Sequence, residues 1–208
     1  MNWRAIKAIV RKDLKVVFQN KGVSIPLIVV PLVLLLALPA LAAFAPALQD
    51  MPGTPVSGLD GFLARMPEGL QSELAGYDET QSIVVLTLVY LYAPMYLILP
   101  LMVASVIAAD SFAGEKERKT LEALLHTPTT DGELLLAKLL SAWAPAIAIA
   151  WGGFLLYALV ANLAAWPALG HLFFPNTMWV VLALWVAPAV AGLGLGTTAV
   201  SYTHLTLP

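Results

Sequence analysis

Ionisable side chains are nearly absent from the long apolar stretches of this chain, and their absence limits the chemistry it can perform. No Lys, Arg, Asp or Glu lies between Lys21 and Asp50, between Glu79 and Asp110, or after Lys138. Proton- and ion-coupled transporters use such groups inside the membrane as their pathway. An intramembrane hydrolase needs a Ser/His/Asp or His/Glu grouping, which these stretches do not offer. The sequence therefore argues against both classes of protein.

Nucleotide and metal chemistry have little support either. The chain has no G-x-x-x-x-G-K-[ST] phosphate loop, so it is not itself a phosphate-loop ATPase. His126 and His171 are isolated from other ligand-type residues, and there is no cysteine. We therefore expect no catalytic residues, no metal site and no cofactor on this chain, and no nucleic-acid partner.

The glycines inside the apolar stretches predict close helix packing. Gly192-Leu-Gly194-Leu-Gly196 superficially resembles a nucleotide fingerprint, but no strand precedes it and no acidic residue accompanies it. The spacing Gly192-x-x-x-Gly196 is instead typical of two membrane helices in close contact, and Gly152-Gly153 has the same interpretation.

The composition requires lipid as part of the solvent. Of 208 residues, 60% are hydrophobic and 12% are charged, and the mean hydropathy is +0.82, whereas a soluble domain carries about 25% charged residues. Four stretches reach the roughly 20 residues that cross a bilayer as a helix. We predict an all-α integral membrane fold with spans at 23–48, 83–109, 139–165 and 178–200.

Two features qualify these spans. Trp166-Pro167, Gly170-His171 and Pro175-Asn176 break the last apolar run, so that it predicts two spans. Prolines inside the spans predict kinks rather than helix ends, because membrane helices tolerate proline. They are Pro31, Pro39, Pro94, Pro100, Pro145 and Pro188.

The basic residues predict the orientation. Of eleven Lys and Arg residues, ten lie in 1–22 and 110–138, and Arg65 alone lies in 50–82. Since cytoplasmic loops are rich in Lys and Arg, we expect a cytoplasmic N-terminus, a cytoplasmic loop at 110–138 and an external loop at 50–82. The external loop should be irregular, with one short amphipathic helix near 59–74.

Residues 1–22 predict a basic amphipathic helix in the plane of the membrane surface. At helical spacing Trp3, Ile6, Val10, Leu14 and Val17 share one face, and the opposite face carries Arg4, Lys7, Arg11 and Lys15. We expect the membrane interface to involve Trp3, Arg4, Lys7, Arg11 and Lys15. The alternative is a leader that only sets topology. Asp13 borders the apolar face and requires a cation that the pattern does not identify.

The loop at 110–138 is the most informative segment. Residues 115–126 predict a short helix that ends before Pro128, with an apolar face of Leu121, Leu124 and Leu125. Thr130 and Glu133 have the spacing of a capping box and predict the start of the third span's helix. The short helix could dock a soluble partner or could merely close a hairpin, and its physical chemistry favours neither.

Two runs of sequence carry a resemblance to a known family. Residues 114–128 (GEKERKTLEALLHTP), the following ELLLAKLL, and the N-terminal Arg11-Lys-Asp-Leu14 strongly resemble the ABC type-2 transporter permeases. The resemblance implies an interfacial helix before the first span and a loop helix that couples ATPase movement to the spans. The positions it implies for ATPase coupling are Glu115, Glu117, Arg118, Thr120, Leu121, Glu122 and Leu125.

The resemblance also implies partners and a location. A member of this family is the permease of an exporter in the plasma (inner) membrane, pairs with a second permease half, and depends on a cytosolic ATP-binding cassette ATPase that binds ATP and Mg²⁺. The family pattern has six spans, so we expect four of a presumed six here, and residues 201–208 resemble no family sequence and are interpreted as a non-native tail. The alternative function is a non-transporting membrane anchor or scaffold that recruits a cytosolic protein.

The substrate is not identified by the sequence. The spans offer aromatic side chains, which we interpret as packing or membrane-interface residues rather than as a binding site. They are Tyr90, Tyr92, Tyr96, Trp143, Trp151, Trp179 and Trp185.

Overall fold

The computed structural model describes residues 2–42, 65–117 and 130–204, and within those ranges it is helical and contains no strand. Helix α1 is Trp3–Gln19. Helix α2 consists of Lys21–Leu32, a π-helical turn Val33–Ala37, and Leu38–Ala42. The short helix α3 is Glu68–Leu74. Helix α4 consists of Glu79–Val85, a π-helical turn Leu86–Leu91, and Tyr92–Glu117. Helix α5 is Asp131–Leu169, and α6 consists of Thr177–Val181, a π-helical turn Leu182–Val186, and Ala187–His204.

The predicted all-α membrane fold is confirmed. Four helices, α2, α4, α5 and α6, are long and apolar enough to cross a membrane. Helix α4 packs along both α5 and α6, while α2 lies mainly against α5. The chain therefore forms a helical bundle in which α1 lies at one end and α3 at the other.

The helix ends differ from the sequence prediction by several residues. Helix α4 begins at Glu79 because Asp78 and Gln81 form a capping box there. The predicted capping box of Thr130 and Glu133 is confirmed at the start of α5. The last apolar run forms two spanning helices, as predicted, but α5 continues through Trp166-Pro167 and ends at Leu169. The helix ends where Gly170 adopts φ +68°, a left-handed conformation that favours glycine.

The start of the short helix predicted in the loop at 50–82 also differs. Its predicted range was 59–74, and α3 begins at Glu68, directly after Pro67, which has an extended conformation. Residues 59–64 lie outside the described ranges. At the other end, α6 continues to His204, four residues into the segment interpreted as a tail.

Each π-helical turn lies just before a proline: Val33–Ala37 before Pro39, Leu86–Leu91 before Pro94, and Leu182–Val186 before Pro188. In these turns an N–H donates to the carbonyl five residues earlier, as from Leu38 to Val33. In the same register each proline would donate to the carbonyl five residues before it, but proline has no N–H. A membrane provides no water to satisfy that carbonyl.

Aromatic side chains of neighbouring helices satisfy all three of these carbonyls. Tyr92 Oη donates to the Leu34 carbonyl at 2.8 Å, Trp179 Nε1 to the Val89 carbonyl at 2.7 Å, and Trp151 Nε1 to the Ala183 carbonyl at 3.0 Å. The prolines are thus accommodated by a wider turn plus an aromatic donor, and the same bonds join α4 to α2, α6 to α4 and α5 to α6.

Within the described part of this chain, the predicted pair in α6, Gly192 and Gly196, makes no close helix contact. Gly192 and Gly196 are exposed, and a Cβ added to either would meet no atom within 4 Å. Gly194 is the packing residue, because a Cβ there would lie 2.8 Å from Ser105 Oγ and 3.1 Å from the Leu101 carbonyl of α4. In α5 only Gly153 of the predicted pair is buried, and its Cβ would lie 2.8 Å from Leu35.

Candidate functional site

Helix α1 is positioned by the first turns of α5. Asn2 caps α1, since its side chain accepts from the N–H of Ala5, and its own N–H donates to the Glu133 carboxylate at 2.5 Å. Ile6 and Ile9 are buried against Ala137. The N-terminal helix is therefore packed onto the start of the third span.

Part of the predicted apolar face of α1 packs against the bundle. Ile6 and Val17 are buried, whereas Trp3 is 61% exposed, and its contact with the membrane interface stays a prediction. The face that packs inward consists of Ile6, Ile9, Asp13 and Val17. It includes an acid because the bundle supplies a cation for it.

That cation is Lys138, in the second turn of α5. Lys138 Nζ lies 3.0 Å from Asp13 Oδ2 and also donates to Ser111 Oγ at 3.0 Å and to the Ser111 carbonyl at 3.3 Å. Ser111 Oγ in turn donates to Asp13 Oδ2 at 3.0 Å. The Asp13 and Lys138 side chains are 3% and 5% exposed. We call these three residues, Asp13, Ser111 and Lys138, the ion-pair cluster.

The ion-pair cluster satisfies its own charges. An ammonium has three N–H donors, and Lys138 has three acceptors within 3.3 Å. Lys12 Nζ adds a partly exposed contact to Asp13 Oδ1 at 3.2 Å. A buried pair of this kind adds little net stability over an apolar pair, whereas removal of one partner costs about 3–5 kcal/mol. The main effect of the cluster is therefore to fix the position of α1 against α4 and α5.

A second contact joins the same elements. Asn20, between α1 and α2, caps α2 by accepting from the N–H of Gly22, and its Nδ2 donates to Asp110 Oδ1 at 3.3 Å. Asp110 immediately precedes Ser111. The junction between α1 and α2 is thus fixed to the same turn of α4 that contributes to the ion-pair cluster.

The residues predicted for ATPase coupling flank or follow this region. Helix α4 continues without a break through Glu115 to Glu117, where the sequence predicted the start of a separate short helix. No proline interrupts α4 at that point, and Gly114 alone does not end it. The remaining five positions, Arg118, Thr120, Leu121, Glu122 and Leu125, lie outside the described residues, so their contacts remain predictions.

The basic residues of α1 are placed on one surface, as predicted. Arg4, Lys7, Arg11 and Lys15 are exposed and line a shallow depression of about 750 Å³ together with Ala8 and Lys12. This surface lies opposite the buried face of α1. Its contact with lipid remains a prediction.

Sequence reasoning missed the role of Lys138, which it counted only as a topological charge. The available signal was an acid on an apolar face, Asp13, that needed a cation, together with a lysine that is the last charged residue of the chain. No group of metal ligands occurs in the described part of the chain.

The structure has four helices that can span a membrane, and α1 is bonded to two of them, α4 and α5. This arrangement defines a multi-pass membrane protein. A family model described as "ABC-2 family transporter protein" matches residues 7–205, and the chain therefore belongs to the ABC-2 transporter family. Searches of curated proteins and of solved structures gave no significant match. The resemblance in the sequence is confirmed, and the chain is a membrane component of a transport system rather than a catalytic enzyme.

Proposed function

We propose that this chain is the membrane-spanning permease subunit of an ATP-binding cassette exporter in the plasma (inner) membrane, with its N-terminus in the cytoplasm. ATP and Mg²⁺ bind to a separate cytosolic ATPase, and a second permease half completes the transport path. The observation that carries the proposal is the family match over residues 7–205. The distribution of the basic residues supports the orientation.

The geometry at the α1 end of the bundle supports a route for coupling. The loop between α4 and α5 is the proposed ATPase contact, and both helices that enter it are joined through the ion-pair cluster. A force on this loop acts on the end of α4, near Ser111, and on the start of α5, near Lys138. Since Asp13 is bonded to both residues, α1 moves with them rather than independently.

The movement extends to the first span through Asn20. Its bond to Asp110 holds the start of α2 against α4. Binding of ATP would favour one arrangement of these helices and hydrolysis the other, which is alternating access driven by differential contacts with the ATPase. The ion-pair cluster is a positioning device in this scheme and contacts no substrate.

A non-transporting anchor that recruits a cytosolic protein is the alternative function. The two functions differ in whether the partner hydrolyses ATP in a permease-dependent way. The test is to coexpress the chain with a phosphate-loop ATPase encoded in a neighbouring reading frame, purify through a tag on the permease, and measure ATP hydrolysis in liposomes. We expect copurification and a rate that depends on the permease. Copurification of a protein without ATPase activity would favour the anchor.

A further inference from the structure

At the α3 end of the bundle, two adjoining depressions form one groove. The first, of about 430 Å³, is lined by Gly69, Leu70, Glu73, Tyr90, Asn176, Thr177 and Met178. The second, of about 510 Å³, is lined mainly by apolar residues, including Met66, Ile83, Leu86 and Leu91. Leu70 and Tyr90 line both depressions, so that a polar compartment opens directly into an apolar one.

The polar compartment carries a single charge. Among the described residues that line either depression, Glu73 is the only one with a carboxylate, and no lysine or arginine is present. The Tyr90 hydroxyl donates to the Glu73 carboxylate, which places an aromatic ring beside the acid. A carboxylate next to an aromatic ring attracts a cation, both by Coulombic interaction and through the ring face, and repels an anion.

The apolar compartment adds a second requirement. Its lining favours an aliphatic or aromatic group, whose transfer from water is favourable in proportion to the buried area. Because this compartment adjoins the polar one at Tyr90, one molecule can occupy both only if it carries its charge at one end. The charge and the shape together select a class of ligand.

We propose that the groove between α3, α4 and the start of α6 binds an amphiphilic cation, with its ammonium group against Glu73 and its apolar part along Ile83, Leu86 and Leu91. Given the proposed function, on which this reading of the groove as a substrate site rests, the ligand class is that of the transported molecule at the face opposite the ATPase. The binding itself requires neither ATP nor a partner.

The test uses the full chain in nanodiscs of phosphatidylcholine, which carries no net charge, without nucleotide or ATPase. Radiolabelled dodecyltrimethylammonium is the probe, and dodecanol and dodecyl sulfate are competitors of equal chain length. We expect saturable binding, with competition by unlabelled cation at least about tenfold stronger than by either competitor, because only the cation gains the Coulombic and ring-face attraction. Nonsaturable partitioning, or equal competition by dodecanol, would overturn the proposal without any variant being needed.

Two variants locate the site. Glu73→Gln removes the charge that attracts the cation and should weaken binding at least about tenfold, whereas Glu68→Gln, on the same helix but outside both linings, should leave it unchanged. Tyr90→Phe keeps the ring and removes the hydroxyl that occupies the carboxylate, so its affinity should equal or exceed that of the parent. Binding by Glu73→Gln at the parent's affinity refutes the site. A failure of ATP-driven transport in the presence of normal binding counts against the proposed function instead.

Discussion

Lys138 Nζ lies 3.0 Å from Asp13 Oδ2, across 125 positions of sequence, and the pair is buried at the point where α1, α4 and α5 meet. The contact explains why an acid occurs on the buried face of an otherwise amphipathic helix. It also brings the N-terminal helix into mechanical contact with both helices that flank the proposed ATPase loop.

Removing the cation should destabilise the bundle. Lys138→Met leaves Asp13 buried beside Ser111 and one exposed lysine, so we expect a loss of about 3–5 kcal/mol in the free energy of unfolding. The measurement is the unfolding midpoint in mixed micelles of increasing SDS fraction. Lys12→Met is the matched control, since it removes the partly exposed contact to the same carboxylate, and its cost should stay within about 1 kcal/mol. Equal effects of the two variants would contradict the assignment.

Replacing both charged side chains with apolar ones should restore most of the free energy of unfolding that each single replacement loses. Asp13→Leu combined with Lys138→Met removes the buried charges together, and its stability should return to within about 1–2 kcal/mol of the parent. The coupling energy from the double-mutant cycle should therefore be several kcal/mol. A double variant as unstable as the sum of the two single variants would show that the side chains do not interact.

Hydropathy and charge predicted the spans because both signals are local in sequence. The four spanning helices and the cap at Thr130 follow from runs of apolar residues and from neighbours three positions apart. The partner of Asp13 does not, because Lys138 and Asp13 meet only after the helices assemble. Pattern alone also could not choose between Gly194 and its neighbours Gly192 and Gly196, since the choice depends on which face of α6 meets α4.

The sequence gives the positions of the prolines, but it does not predict which side chain replaces the hydrogen bond that each proline removes. A proline predicts a lost hydrogen bond, yet the donor that replaces it lies on another helix, as Trp179 does for the Val89 carbonyl. The ATPase-coupling role of the positions between 118 and 125 remains a prediction from the resemblance, because these residues lie outside the described part of the chain.

The proline–aromatic pairs can be tested by restoring the missing donor. Trp179→Phe keeps an aromatic ring but removes the Nε1–H bond to the Val89 carbonyl, at a cost of about 1–3 kcal/mol. In a Pro94→Ala background the new N–H can serve this part of α4, so the same Trp179→Phe change should cost less. Trp185→Phe, at a side chain that is 74% exposed, is the control. An identical cost of Trp179→Phe in both backgrounds would contradict the account.

The orientation predicted from the basic residues can be tested directly, because the chain has no cysteine. A cysteine at Ser72, which is exposed in α3, should react in intact cells with a maleimide that does not cross the membrane. A cysteine at Thr129 should react only after the cells are opened. The reverse pattern of labelling would invert the topology and place the proposed ATPase contact on the wrong side of the membrane.

The proposed function requires that the loop between α4 and α5 couples a separate ATPase to this bundle. Leu121 and Leu125 lie one helical turn apart in the predicted loop helix and could fill one cleft on the ATPase. The measurement is permease-dependent ATP hydrolysis by the chain reconstituted with the ATPase. Leu121→Ser with Leu125→Ser should sharply reduce both hydrolysis and ATPase copurification with unchanged unfolding in SDS, and Lys119→Gln should change neither. Full hydrolysis and copurification in the double-serine variant would contradict the claim and leave the loop as a hairpin closure.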